Sequence, residues 1–167
     1  MIKVLNSLFV TMFCLGKIKF FPGTIGSLVT TLMLFYLFQI KNISPALILT
    51  VLLIFFVYSF YAVSEYIKNN QNKDPSEIII DEFLGQSIPI YLYEISHGTT
   101  KEFNEAIIYY SVFFILFRYF DIMKPFPVNY FDKNFKNSFG VIMDDIIAGF
   151  YVVITLVCFM IIKSYVL

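Results

Sequence analysis

From Val141 to Leu167 the chain is apolar apart from Asp144, Asp145, Lys163 and a few hydroxyls. A run of that length is enough to cross a bilayer as a helix. It opens with Val141-Ile142-Met143-Asp144-Asp145-Ile146-Ile147-Ala148-Gly149, so two adjacent carboxylates stand at or just inside the end of a membrane helix. Acids at that depth cost about 2.5–3.5 kcal/mol each on insertion scales. Such a cost points to a function: an ion, a proton path or a metal. The plain alternative is a solvated helix start just outside the membrane, where acids suit the helix dipole.

The rest of the chain is of the same kind. Of 167 residues, 59% are hydrophobic and only 14% charged, where a soluble domain carries about 25%. With a mean hydropathy of +0.77, the chain reads as an all-α polytopic membrane bundle, one domain over residues 1–167. Its formal net charge is zero, and nothing in that balance suggests nucleic acid. Cys14 and Cys158 both lie in apolar surroundings and are expected to be buried free thiols without a disulfide. Cysteine-phosphatase chemistry needs an Arg six residues after its Cys, and Phe20 and Ser164 stand there instead. The apolar start resembles a signal peptide but is followed by no small-x-small cleavage site.

Apolar runs cover residues 22–40, 43–67, 78–96, 105–123 and 141–167, separated by polar links. Four to five of these are expected to be membrane helices. Residues 1–20 are too short in their apolar part to span and are expected at the interface or packed on the bundle. Alternating the loops puts Lys3, Lys17, Lys19, Lys68, Lys73, Lys124, Lys133 and Lys136 on one side and Lys41, Lys101 and Lys163 on the other. The positive-inside rule then places the N-terminus and the lysine-rich loops in the cytoplasm. The segments around residues 22–27, 74–82, 118–127 and 140–145 all emerge at that face, and they hold most of the unusual polar chemistry. Charges gathered at one interface suit a substrate whose polar head lies there.

Ile78-Ile79-Ile80-Asp81-Glu82-Phe83-Leu84-Gly85 repeats the pattern around Asp144-Asp145: three apolar residues, an acidic pair, two apolar residues, a small one. Chance in an Ile-rich chain is one explanation. The other is two helices starting at one face, with Gly85 and Ala148-Gly149 allowing close approach. Four converging carboxylates repel unless a hard divalent cation sits among them. Oxygen-only ligands point to Mg²⁺, or Mn²⁺ in its place. His97, the single histidine, falls in the opposite loop, and no His/Cys cluster suggests zinc. Arg118 and Asp121 share a helix face, either as a structural pair or with Arg118 and Lys124 binding phosphate. Gly23-Thr24-Ile25-Gly26-Ser27 offers backbone N–H groups and two hydroxyls at a helix start. That arrangement fits anion binding or ordinary capping.

Together these segments resemble the phosphatidylglycerophosphatase A family of bacterial membrane lipid phosphatases. The matches are Pro22-Gly23-Thr24-Ile25-Gly26-Ser27, Asp74-Pro75 followed by Asp81-Glu82, Arg118-Tyr119-Phe120-Asp121-Ile122-Met123-Lys124-Pro125-Phe126-Pro127, and Gly140-Val141-Ile142-Met143-Asp144-Asp145 with Ala148-Gly149. The central segment is the most specific. Departures are Gly16-Lys17-Ile18-Lys19-Phe20-Phe21, where the family is rich in small residues and Pro, and Phe139, where it has more glycine.

The resemblance implies Mg²⁺-dependent removal of the terminal phosphate of phosphatidylglycerophosphate at the cytoplasmic face of the bacterial inner membrane. It implies Asp81, Glu82, Asp144 and Asp145 as metal ligands, with Asp81 and Asp145 also catalytic. Asp121 is the first candidate to activate water. Arg118, Lys124, Thr24, Gly26 and Ser27 are the expected phosphate contacts. Direct water attack and an aspartyl-phosphate both remain open, as does oligomeric state. The competing readings are a cation or proton transporter using the same acids, which needs polar groups in the apolar outer halves as well, and a non-catalytic scaffold.

The orientation is testable by labelling. In a background lacking Cys14 and Cys158, single cysteines at Asn72 and Asn134 should resist an impermeant thiol reagent in intact cells. Ready labelling of either would invert the topology.

Overall fold

The computed structural model describes residues 2–69, 76–97 and 103–166. Asp74-Pro75, Lys73 and Lys101 of the sequence reading lie outside them. The described chain forms seven α-helices: α1 (Ile2–Val10), α2 (Pro22–Phe35, continued by one wide π-turn, Tyr36–Ile40), α3 (Pro45–Asn69), α4 (Ile80–His97), α5 (Phe103–Met123), α6 (Val128–Asn134) and α7 (Ser138–Val166). Four of them, α2 with its π-turn, α3, α5 and α7, are long and apolar enough to cross a membrane. In lipid every backbone N–H and C=O must find its partner within the protein, which the helix does for each span.

The third apolar run, 78–96, becomes the centre of the bundle. Helix α4 carries Asp81, Glu82, Gln86, Ser87, Glu94 and an internal proline, Pro89, so it is poorly suited to face lipid. It is surrounded by α2, α3, α5 and α7. Its buried polar residues are therefore the ones a bilayer would penalise most. The outer helices show the reverse pattern: Leu47, Val51, Ile54 and Val57 of α3, and Phe150, Ile154, Val157 and Ile161 of α7, are exposed. Those spacings mark one stripe on each helix, as a lipid-facing surface requires.

Where α4 crosses α7, backbone meets backbone. A Cβ at Gly149 would run into the Gly85 carbonyl, and one at Gly85 would lie 2.5 Å from the Asp145 carbonyl oxygen and 2.8 Å from the Phe117 ring. The Gly85 carbonyl has no N–H partner four residues on, because residue 89 is proline. Gly149 packs over that freed oxygen, a contact of the Cα–H···O kind. The close approach expected of the two small-residue positions is therefore present.

Several boundaries differ from the sequence reading. Helix α7 starts at Ser138, not near Val141, with Asn137 Oδ1 accepting the Gly140 N–H at 3.1 Å. The long polar loop 124–140 contains α6, too short for a periodic signal. Helix α1 packs on α3, with the Tyr58 hydroxyl donating to Asn6 Oδ1 at 2.6 Å. Cys14 and Cys158 are free but exposed, not buried. In a membrane chain, apolar neighbours mark a lipid-facing position as readily as a core one. The outer half is also less uniformly apolar than expected. There Glu94 accepts hydrogen bonds from Gln39 at 2.9 Å and Tyr110 at 3.0 Å.

The crossing gives a stability prediction. Gly85→Val should destabilise the bundle by at least about 1–3 kcal/mol, because a branched side chain would meet backbone that cannot move aside. Ile154→Val, on the exposed stripe, should be nearly silent. Thermal unfolding in detergent compares them, and equal midpoints for Gly85→Val and wild type would rule out the tight crossing.

Candidate active site

The two acidic pairs reach the same place by different local structures. In the α4 segment, Ile78 and Ile79 precede the helix, and the Ile79 N–H donates to the Val10 carbonyl at 3.1 Å. Asp81 and Glu82 then fall in the first turn of α4. In α7 the apolar triplet is already helical, and Asp144 and Asp145 lie nearly two turns inside the helix. Asp81 is 8% exposed, Asp144 6% and Asp145 3%. Burial of this degree excludes the solvated helix start for the Asp144-Asp145 pair. The Gly85–Gly149 contact sits one turn from Asp81 and one turn from Asp145, so the crossing itself brings the two pairs together.

Three of the four expected ligands converge. Asp81, Glu82 and Asp145 each offer a carboxylate oxygen, all within 4.8 Å of one another. Oxygens on opposite sides of an octahedral Mg²⁺ lie about 4.2 Å apart, so the three carboxylates are close to the reach of one such ion. Glu82 Oε2 is buried without a hydrogen-bond partner, as a ligand oxygen awaiting a cation would be. Gly23 makes room for this carboxylate, since a Cβ there would collide with Glu82 Oε1. Asp144, the fourth, is turned to a different partner. Its Oδ2 accepts from Lys124 Nζ at 2.9 Å.

The cations are held by acids of their own. Arg118 Nη1 lies 2.6 Å from Asp121 Oδ2 and donates a longer bond, 3.4 Å, to the Ser27 hydroxyl. Asp121 thus forms the i,i+3 pair foreseen in the sequence, and it is not among the cavity-lining residues. Lys124 ends α5 in a left-handed conformation, φ 43°, and its ammonium bridges Asp144 and Asp132, the latter at 2.6 Å. Burial works against charge on this amine, but Asp144 and Asp132 outweigh it and hold its pKa above the ordinary lysine value.

The start of α2 is only partly at the cavity. Gly23 and Thr24 line it; Gly26 and Ser27 do not. A Cβ on Gly26 would lie 3.2 Å from Ile79 Cβ, so this glycine serves helix packing. Ser27 is fully buried, its hydroxyl donating to the Gly23 carbonyl at 2.8 Å and accepting from Arg118. Below the acids on α4, Gln86 is fully buried with neither side-chain polar atom paired; nothing in the structure explains it.

Between these elements lies a cavity of about 440 Å³, lined by both acidic pairs, Arg118, Lys124, Gly23 and Thr24. Two further charged residues line it that the sequence reading did not single out as site residues, Asp132 and Lys136. Both sit in or beside α6, where no apolar periodicity or acidic doublet draws attention. Among the described residues Lys136 has no ion-pair partner. Phe21, which lines the cavity, is exposed, as are Phe20, Phe126 and Tyr130 in the segments next to cavity-lining residues. A cavity with buried anions inside and cations at its wall can hold a phosphate group.

Comparison with known proteins agrees with this chemistry. The sequence profile of the family described as Phosphatidylglycerophosphatase A matches residues 8–160. A Phosphatidylglycerophosphatase A of Haemophilus influenzae is 35% identical over 139 residues, covering 83% of this chain and 78% of its own. A Bacteroides thetaiotaomicron protein named "Putative phosphatidylinositol-3-phosphatase" is 31% identical, covering 81% of each chain. The Escherichia coli Phosphatidylglycerophosphatase A is 28% identical over 77% of this chain and 67% of its own. No solved structure matches. The profile spans the whole site, from the start of α2 to α7, and on that ground the chain belongs to the phosphatidylglycerophosphatase A family and is a membrane lipid phosphatase.

Proposed function

We propose that this phosphatase hydrolyses the terminal phosphomonoester of phosphatidylglycerophosphate to give phosphatidylglycerol, at the cytoplasmic face of the bacterial inner membrane, with Mg²⁺ as cofactor. The observation that carries the reading is the converging carboxylate trio, Asp81, Glu82 and Asp145, beside Arg118 and Lys124 in one cavity. Two of the relatives, in Haemophilus and Escherichia, bear the name of this activity.

Phosphomonoester hydrolysis is among the slowest uncatalysed reactions known, so the site must neutralise charge and place the nucleophile. Asp81, Glu82 and Asp145 would hold the ion; Asp144, engaged by Lys124, would flank it. Bound there, Mg²⁺ supplies Lewis-acid polarisation of the phosphoryl oxygens and a water of lowered pKa. Arg118 presents a planar set of donors to the phosphate. Lys124 and Lys136 add positive charge at the wall, and the free N–H groups of Gly23 and Thr24 add donors at the α2 start. Asp121, held by the guanidinium outside the cavity lining, orients Arg118 in this reading. Asp121 remains the first carboxylate to test for taking the proton of the attacking water, with Asp81 and Asp145, which line the cavity, beside it. The acyl chains stay in the bilayer, and the headgroup alone enters.

The direct test is phosphate release by purified protein in mixed micelles, with and without Mg²⁺. Turnover of phosphatidylglycerophosphate should need the ion and exceed turnover of a phosphatidylinositol phosphate. The opposite lipid preference would move the substrate toward that of the Bacteroides relative's name. Asp145→Asn and Asp81→Asn should each lower kcat by about a hundredfold or more while leaving a folded, membrane-inserted protein. The double variant should be little worse than either, because ligands of one ion act as a unit. His97→Ala, at the far end of α4, should be nearly silent. Wild-type rates for Asp145→Asn at saturating Mg²⁺ would remove the metal role.

A further inference from the structure

Lys124 occupies an unusual position among the cavity's charges. Its ammonium is shared between two carboxylates on different helices, Asp132 of α6 at 2.6 Å and Asp144 of α7 at 2.9 Å. The two are not equivalent. The Asp144 side chain is 9% exposed and lies inward, beside the acidic trio; that of Asp132 is 25% exposed and lies outward. An ammonium has three N–H donors, so two bonds leave one for a further acceptor. The lysine stem is flexible. With Asp144 as its single partner, the amine would be drawn inward and its charge spent on a buried carboxylate. The backbone supports a constrained placement, since Lys124 holds a left-handed φ that side chains other than glycine adopt at a cost.

We propose that Asp132 is a positioning residue, tethering the Lys124 ammonium at the cavity wall so that its third N–H meets the phosphomonoester of the incoming lipid. The inference rests on the phosphatase reading above. In it the short helix α6 serves to carry one carboxylate to the lysine that ends α5. The tether acts on substrate capture more than on the chemical step, because Asp132 is not one of the three converging carboxylates.

The test uses steady-state kinetics on the full-length protein in micelles containing phosphatidylglycerophosphate and Mg²⁺, with rates normalised to the folded fraction. Asp132→Asn should raise KM by about tenfold, the scale of one lost charged hydrogen bond, with kcat changed by less than about threefold. Asp132→Glu should restore most of the affinity. Lys124→Met should raise KM at least as much, and the Asp132→Asn, Lys124→Met double variant should be no worse than Lys124→Met alone. An unchanged KM in Asp132→Asn, equal losses in kcat and kcat/KM, or multiplying effects in the double variant would each overturn the tether. A second arm separates this from the function itself. Inorganic phosphate should raise the thermal midpoint of wild type and do so far less for Asp132→Asn. If wild type releases no phosphate from lipid, the proposed function falls, and this second comparison alone decides the tether.

Discussion

The contact between Gly85 and Gly149 sets the position of nearly everything polar in this molecule. Lipid offers no hydrophobic drive for helices to associate, so close packing and weak backbone contacts must hold α4 to α7. Pro89 contributes by leaving the Gly85 carbonyl unpaired within its own helix, open to the approach of Gly149. Asp81 and Asp145 are each one turn from that contact. A side chain at either glycine would push the helices apart and separate the carboxylates. The site is thus a consequence of the crossing and has no independent scaffold.

The charge arrangement follows from burial. Asp81, Asp144 and Asp145 are almost without solvent, and isolated buried anions are expensive. The structure itself offsets that cost at one of the three. Asp144 is paired with Lys124, which is in turn shared with Asp132. Asp81, Glu82 and Asp145 have no such cation among the described residues and converge within ligand distance of one another. Arg118 stands near them but is oriented by Asp121 and Ser27. Positive groups therefore sit at the wall and the unpaired negative ones inside, the order that the proposed phosphate substrate and divalent ion would need.

Much of this was written in the chain. Apolar runs of spanning length fixed an all-helical membrane bundle, because lipid leaves the backbone little alternative. The lysine count between runs placed the four polar segments at one end, and the structure brings the described ones to one cavity. The acidic pairs followed by small residues foretold the crossing and the convergence of Asp81, Glu82 and Asp145, but not that Asp144 turns to Lys124. Arg118 and Asp121, three residues apart, were legible as a pair since helix geometry is local.

Tertiary structure alone decided the rest. Asp132 and Asp144 lie twelve residues apart in sequence and meet at Lys124 because α6 folds back against α7. Gly26 and Ser27 belong to the Gly-Thr-x-Gly-Ser motif, yet helix rotation turns them toward Ile79 and Arg118, away from the cavity that Gly23 and Thr24 face. Cys14 and Cys158 went to the exterior, a choice that hydrophobicity cannot encode when core and lipid are equally apolar. Local pattern determines which residues share a helix face. Only the packing of one helix on another determines what that face meets.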